Sequence, residues 1–210
     1  MVRNLFALLA LLTAFSCMNQ TKTSLTQHPL DQSKSRTLVL ENGLKVYLLS
    51  DPKFNMSAAS MAVEVGSLEN PQDREGIAHF LEHMLFLGTE KFPDVDEYSE
   101  YLRTYGGYAN AYTASDHTNY QLQVLPDGFE GAIDRFAQFF IAPLFTDEYT
   151  EREVNAVNSE HQKNIMSDNW RQFRVTSLFA KEGHPIRKFG TGNLELSLIH
   201  ISEPTRRYRI

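Results

Sequence analysis

Residues 36–51 (RTLVLENGLKVYLLSD) set two apolar runs on either side of Asn42-Gly43, a pattern that predicts a β-hairpin. Residues 57–66 (SAASMAVEVG) alternate as a third strand. The period then changes. Residues 75–87 (EGIAHFLEHMLFL) carry apolar positions at helical spacing, with Gly76 near the start and Gly88 after the end. A second helix is expected in residues 94–106 (DVDEYSEYLRTYG), where Asp94 and Glu97 have the N-cap and N3 spacing of a capping box. Gly106-Gly107 closes it. Two strand-like runs follow, YANAYTAS and HTNYQLQVL, joined around Asp116. A third helix is read in residues 127–143, with Asp127 and Glu130 again in cap spacing, a long fourth in 146–167, and a fifth in 170–180. The order β-β-β-α-α-β-β-α-α-α predicts an α+β fold in which helices pack on one face of a largely antiparallel sheet.

The two ends do not share this pattern. One positive charge, Arg3, precedes residues 5–15 (LFALLALLTAF), of which only Thr13 is polar. The run is too short to span a bilayer as a helix, which needs about 20 residues. It matches the charged and apolar regions of a secretory signal, assigned to residues 1–16. Cys17 follows Ala14-Phe15-Ser16, which resembles a bacterial lipobox; the chain is expected in the periplasm of a bacterial cell envelope, either anchored to a membrane by lipid on Cys17 or released by ordinary signal cleavage nearby. Residues 17–36 read as a flexible tether. At the other end, residues 196–206 (LSLIHISEPTR) match the translation of a sequencing-library adapter, so residues 196–210 are set aside as a foreign tail. That leaves residues 37–195 as the folded body, expected to be an incomplete domain.

Composition narrows the chemistry. The chain of 210 residues is 42% hydrophobic and 22% charged, which fits a globular core and excludes a disordered chain. A net charge of −6 argues against a nucleic-acid partner. The single cysteine excludes both an intrachain disulfide and a cysteine-rich zinc site.

The first helix contains His79-Phe-Leu-Glu82-His83. Residues at i, i+3 and i+4 share one helical face, so two imidazoles one turn apart can bind a single zinc ion with Glu82 beside them. The plain alternative is a helix with two hydrogen-bonded histidines, but charged groups amid so apolar a run need partners, and a metal supplies them. Catalytic zinc takes three protein ligands, and the third here must be His, Asp or Glu. Glu153 and Glu160 lie two turns apart on one face of the long helix, and spacing alone does not choose between them. His117, His161 and His184 need no role, and Tyr98, Tyr101 and Tyr105 read as packing. The sequon Asn55-Met-Ser57 is set aside because the signal looks bacterial.

Taken together, LENGLKVYLLSD, AHFLEHMLFLGTEKFP, GGYANAYTASDHTNYQ, REVNAVNSEHQKN and FGTGN resemble the inverzincin peptidases, the pitrilysin and insulin-degrading enzyme family, from about Thr37 to Glu195. The resemblance implies a zinc endopeptidase acting on extended peptides, with one zinc per chain held by His79, His83 and Glu160. It implies Glu82 as general base and Glu153 as a supporting carboxylate. It also implies that substrate lies along an edge strand against Asn110 and Ala111. Members of the family are much longer, so the partners implied are peptide substrates and further C-terminal domains of the same protein. The 210 residues alone are expected to be inactive or nearly so, and poorly stable. The alternative is a non-catalytic, peptide-binding or assembly subunit of the same superfamily; such subunits commonly lose part of the motif, which is intact here.

Overall fold

The computed structural model describes residue 28 and residues 30–194. The signal, Cys17 and the adapter-like tail lie outside the described residues. The chain divides between Asn55 and Met56 into two compact units.

In the first unit, β1 (Lys34–Val39) pairs antiparallel with β2 (Lys45–Ser50), from Lys34 opposite Ser50 to Val39 opposite Lys45. The last three residues of the expected tether therefore belong to a strand. The turn is not a two-residue one. Leu40 N–H donates to the Leu44 carbonyl, and Gly43 N–H donates to Leu40, which closes a three-residue loop. Gly43 sits at φ +86°, the left-handed residue such a loop requires.

The second unit holds a three-stranded antiparallel sheet in the order β3-β5-β4, from β3 (Ser57–Val63), β4 (Tyr108–Thr113) and β5 (Thr118–Val124). Among the described residues β1 and β2 pair only with each other, so the sheet carrying the helices has three strands. Central β5 alternates, with Thr118, Tyr120, Leu122 and Val124 buried and Gln121 exposed. Five helices follow the expected order: α1 (Ile77–Met84), α2 (Glu97–Thr104), α3 (Phe129–Ile141), α4 (Asp147–Ile165) and α5 (Asp168–Leu178). The buried face of β5 packs with Leu85 just after α1, with Tyr98 and Leu102 of α2, and with Phe136 and Phe139 of α3. Val124 and Leu102 are fully enclosed, and truncating such a leucine to alanine costs about 2–5 kcal/mol. The fold is α+β, with helices on one face of an antiparallel sheet.

Two helix starts differ from expectation. At α2 the N-cap is Asp96, without a side-chain cap bond. Asp94 Oδ1 instead accepts from Asp96 N–H at 3.0 Å, and Glu97 is drawn to Arg135. Arg135 Nε donates to both Glu97 oxygens at 2.8 and 3.0 Å, and its guanidinium stacks on Tyr101 and Phe92 at 3.8 and 4.4 Å. At α3, residues Pro126–Gly128 form a 3-10 turn that leads into the helix, so Asp127 and Glu130 make no box. Thr146, by contrast, does cap α4 by accepting from Tyr149 N–H at 3.5 Å.

Helix α1 is shorter than its apolar pattern. Gly76 has φ +87°, which stops the helix from extending back to Glu75. A glycine N-cap offers no side chain, and buried Asn70 supplies the missing acceptor: its Oδ1 takes Ala78 N–H at 3.0 Å. At the other end, Phe86 and Leu87 bond to His83 and Met84, tightening the last turn.

Candidate metal centre

Helices α1 and α4 pack together and bring three donors to one point. His79 Nε2 and His83 Nε2 lie 3.5 and 3.7 Å from the same oxygen, Glu160 Oε2. Val154 and Val157 bury the apolar side of α4, which fixes the rotation of that helix. Ile165, at the end of the same helix, is exposed.

Both histidines are held from behind. His79 Nδ1 donates to the Thr191 carbonyl at 2.8 Å, and His83 Nδ1 lies 3.1 Å from Glu153 Oε2. A carbonyl or carboxylate oxygen can only accept, so each Nδ1 donates, and in the neutral ring that leaves each Nε2 lone pair for a metal at the common point. The two glutamates left open by spacing thus separate: Glu160 faces both Nε2 atoms, and Glu153 backs His83.

The donor set fits zinc. Tetrahedral zinc with ligands at 2.0–2.1 Å places donor atoms about 3.3 Å apart, close to the separations around Glu160 Oε2. Among the described residues, His79, His83 and Glu160 form the one group of at least three such side chains able to share an ion, with donors within 4.8 Å of one another.

Glu82 lies on the same face of α1 and is almost fully buried. Thr113 Oγ1 donates to Glu82 Oε2 at 2.6 Å, and Thr118 Oγ1 donates to the Val65 carbonyl behind it. Burial above all, and then the charge of Glu82, push the Tyr120 phenol well above its ordinary pKa.

Strand β4 carries Asn110 and Ala111. Among the described residues it pairs only with β5, Asn110 opposite Gln121 and Ala111 opposite Tyr120. Asn110 is exposed, whereas Ala111 is half-buried against the core. Neither touches the three donors; they lie on the strand whose last residue bonds Glu82. Two contributors have no sequence reading of their own. Thr113 sits in a run read simply as strand, and the Thr191 contact is made by backbone, which no side-chain pattern reports. The FGTGN string was its one visible sign. His161 turns away from the donors and packs its ring edge-on against Phe189, at 4.8 Å.

Two helical histidines and a glutamate on a neighbouring helix thus give this α+β fold a group of donors able to hold a metal ion. Residues 45–182 match the family described as Insulinase (Peptidase family M16), and the chain belongs to that family. It is 50% identical over 169 residues to insulin-degrading enzyme of Homo sapiens, covering 80% of this chain and 17% of that protein. It is 49% identical over 166 residues to a protein of Schizosaccharomyces pombe that carries the name zinc protease, covering 79% of this chain and 17% of that one. The crystal structure of pitrilysin superposes with a TM-score of 0.80 at 39% identity, over 84% of this chain and 19% of that chain. The chain therefore spans about a sixth of the length of the curated relatives it matches.

Proposed function

We propose that this chain carries the zinc site of an endopeptidase that hydrolyses peptide bonds in extended peptides or small unfolded polypeptides. The observation that carries the reading is the convergence of His79, His83 and Glu160 on one point, with Glu82 buried on the same helical face. His79, His83 and Glu160 would hold one zinc ion. Bound there, zinc would polarise a scissile carbonyl and lower the pKa of water to about 7.

The protein groups divide the remaining work. Glu82 takes the proton of the attacking water and returns it to the leaving amine. Thr113 holds the Glu82 carboxylate in one orientation. Glu153 and the Thr191 carbonyl keep the two imidazoles in the ligating tautomer. The unpaired edge of β4 receives the peptide as an added strand, with Asn110 and Ala111 against its backbone; main-chain pairing tolerates varied side chains. Residues 1–17 support export to the bacterial periplasm, with lipid on Cys17 as the membrane tether. The relatives are several times longer, and for these 210 residues by themselves the reading is zinc binding with little or no hydrolysis.

Metal analysis of the purified, dialysed chain tests the site. The expected result is about one zinc per chain, lost in His83→Ala; a wild-type chain without zinc overturns it. Zinc-dependent peptide cleavage by the 210 residues, abolished in Glu82→Gln, would support the peptidase reading and overturn the expected inactivity.

A further inference from the structure

The segment from Lys188 to Leu194 runs past both ligand helices and is fastened at several points. Lys188 Nζ donates to the carbonyls of Leu68 and Asn70, each at 2.6 Å. Phe189 N–H donates to Glu75 Oε2 at 2.6 Å, and the Phe189 ring meets His161, next to Glu160 on α4. The Thr191 carbonyl accepts a hydrogen bond from His79 Nδ1.

Between these fastenings, two glycine backbones touch. Gly76 and Gly192 both have φ +87°. A Cβ on Gly76 would lie 2.5 Å from the N and Cα of Gly192 and 3.1 Å from the carbonyl carbon of Thr191. Those are backbone atoms, so a side chain there must displace the segment that carries the Thr191 carbonyl. A Cβ on Gly192 would meet Val157 of α4 at 3.4 Å, so that glycine is wedged between the two ligand helices.

We propose that this segment is the positioning element for the metal site, and that the Gly76–Gly192 contact and the Glu75–Phe189 bond set the His79 imidazole for ligation through the Thr191 carbonyl. The inference rests on the zinc reading above. It assigns Gly76, Gly192 and Glu75 a role no nearer the metal than one residue removed. An acceptor behind a ligating imidazole fixes its tautomer and ring plane, and disturbing such a partner costs 10–100-fold in metal affinity.

The test measures zinc affinity by chelator competition on the 210-residue chain, with cobalt(II) absorption spectra as a report on ligand geometry. Gly76→Ala is expected to weaken zinc 10–100-fold and to change the cobalt spectrum at saturation. Gly183→Ala is the control for backbone strain. Gly183 has φ +79° with nothing within 4 Å of its would-be Cβ, so this variant is expected to lose stability while keeping zinc affinity. Should Gly76→Ala fail to fold, the Glu75 pair decides. Glu75→Gln keeps an acceptor for Phe189 and is expected to keep zinc, whereas Glu75→Leu is expected to weaken it and alter the spectrum. Wild-type affinity in Gly76→Ala, or in Glu75→Leu, would overturn the positioning role and leave the zinc site standing. A wild-type chain that binds no zinc would overturn both.

Discussion

Thr113 Oγ1 donates to Glu82 Oε2 at 2.6 Å, joining the buried carboxylate of the first helix to the last residue of an edge strand. The bond couples two elements that the proposed reaction must hold in register, the proton-transferring group and the strand that receives the peptide.

Thr113→Val keeps the shape and removes the donor. The buried Glu82 then loses a charge-assisted bond, and the expected loss is about 1–3 kcal/mol in urea unfolding. Zinc affinity is expected to hold, because Thr113 touches none of the three donors. Unchanged stability would mean that the hydroxyl contributes nothing.

Glu153 and Glu160 are expected to respond differently. Glu160→Ala removes a donor common to both imidazoles, and zinc is expected to be lost on dialysis. Glu153→Ala removes only the acceptor behind His83, with an expected 10–100-fold weakening. Equal effects in chelator competition would contradict the assignment of one as ligand and the other as support.

Arg135 braces α3 to α2 through a two-pronged contact with Glu97 and through the faces of Tyr101 and Phe92. Arg135→Lys keeps the charge but loses the fork and the stacking plane. The expected destabilisation is about 1–3 kcal/mol by urea unfolding, with no change in zinc content.

Burial raises the Tyr98 and Tyr120 phenols well above the ordinary value. A raised folded-state pKa means that folding favours the neutral form. The resulting stability is full below the unfolded value of about 10 and is lost as pH climbs above it. Ultraviolet titration of the 9 tyrosines should therefore show a late class that ionises only with unfolding. Reversible ionisation of all of them near pH 10, with the fold intact, would refute this.

The element order and the two helical histidines were legible because periodicity reports which face of an element is buried, and i, i+4 spacing is geometry in one dimension. Helix starts were less legible. Asp94 and Glu97 have cap spacing, but Arg135, 38 residues beyond Glu97, competes for the carboxylate and wins with a bidentate contact. The start of α1 was hidden for a related reason, since its acceptor, Asn70, is outside the helix. The choice between Glu153 and Glu160 came from resemblance in the sequence and from helix rotation in the structure; spacing treats them alike. What spacing cannot carry at all is the Thr191 carbonyl, because backbone contacts leave a trace only in the residues that permit them, here the glycines.

The open edge of β4 has a second consequence. Its six residues, Tyr-Ala-Asn-Ala-Tyr-Thr, include no proline and no charge, the usual guards against unwanted pairing. Among the described residues the outer side of β4 has no partner strand, and an edge that would receive an extended peptide would also pair with the same strand of another copy. If catalysis requires that edge to stay unguarded, the solubility of this domain depends on whatever covers it between substrates. Self-association through β4 is then the hazard of an unguarded edge.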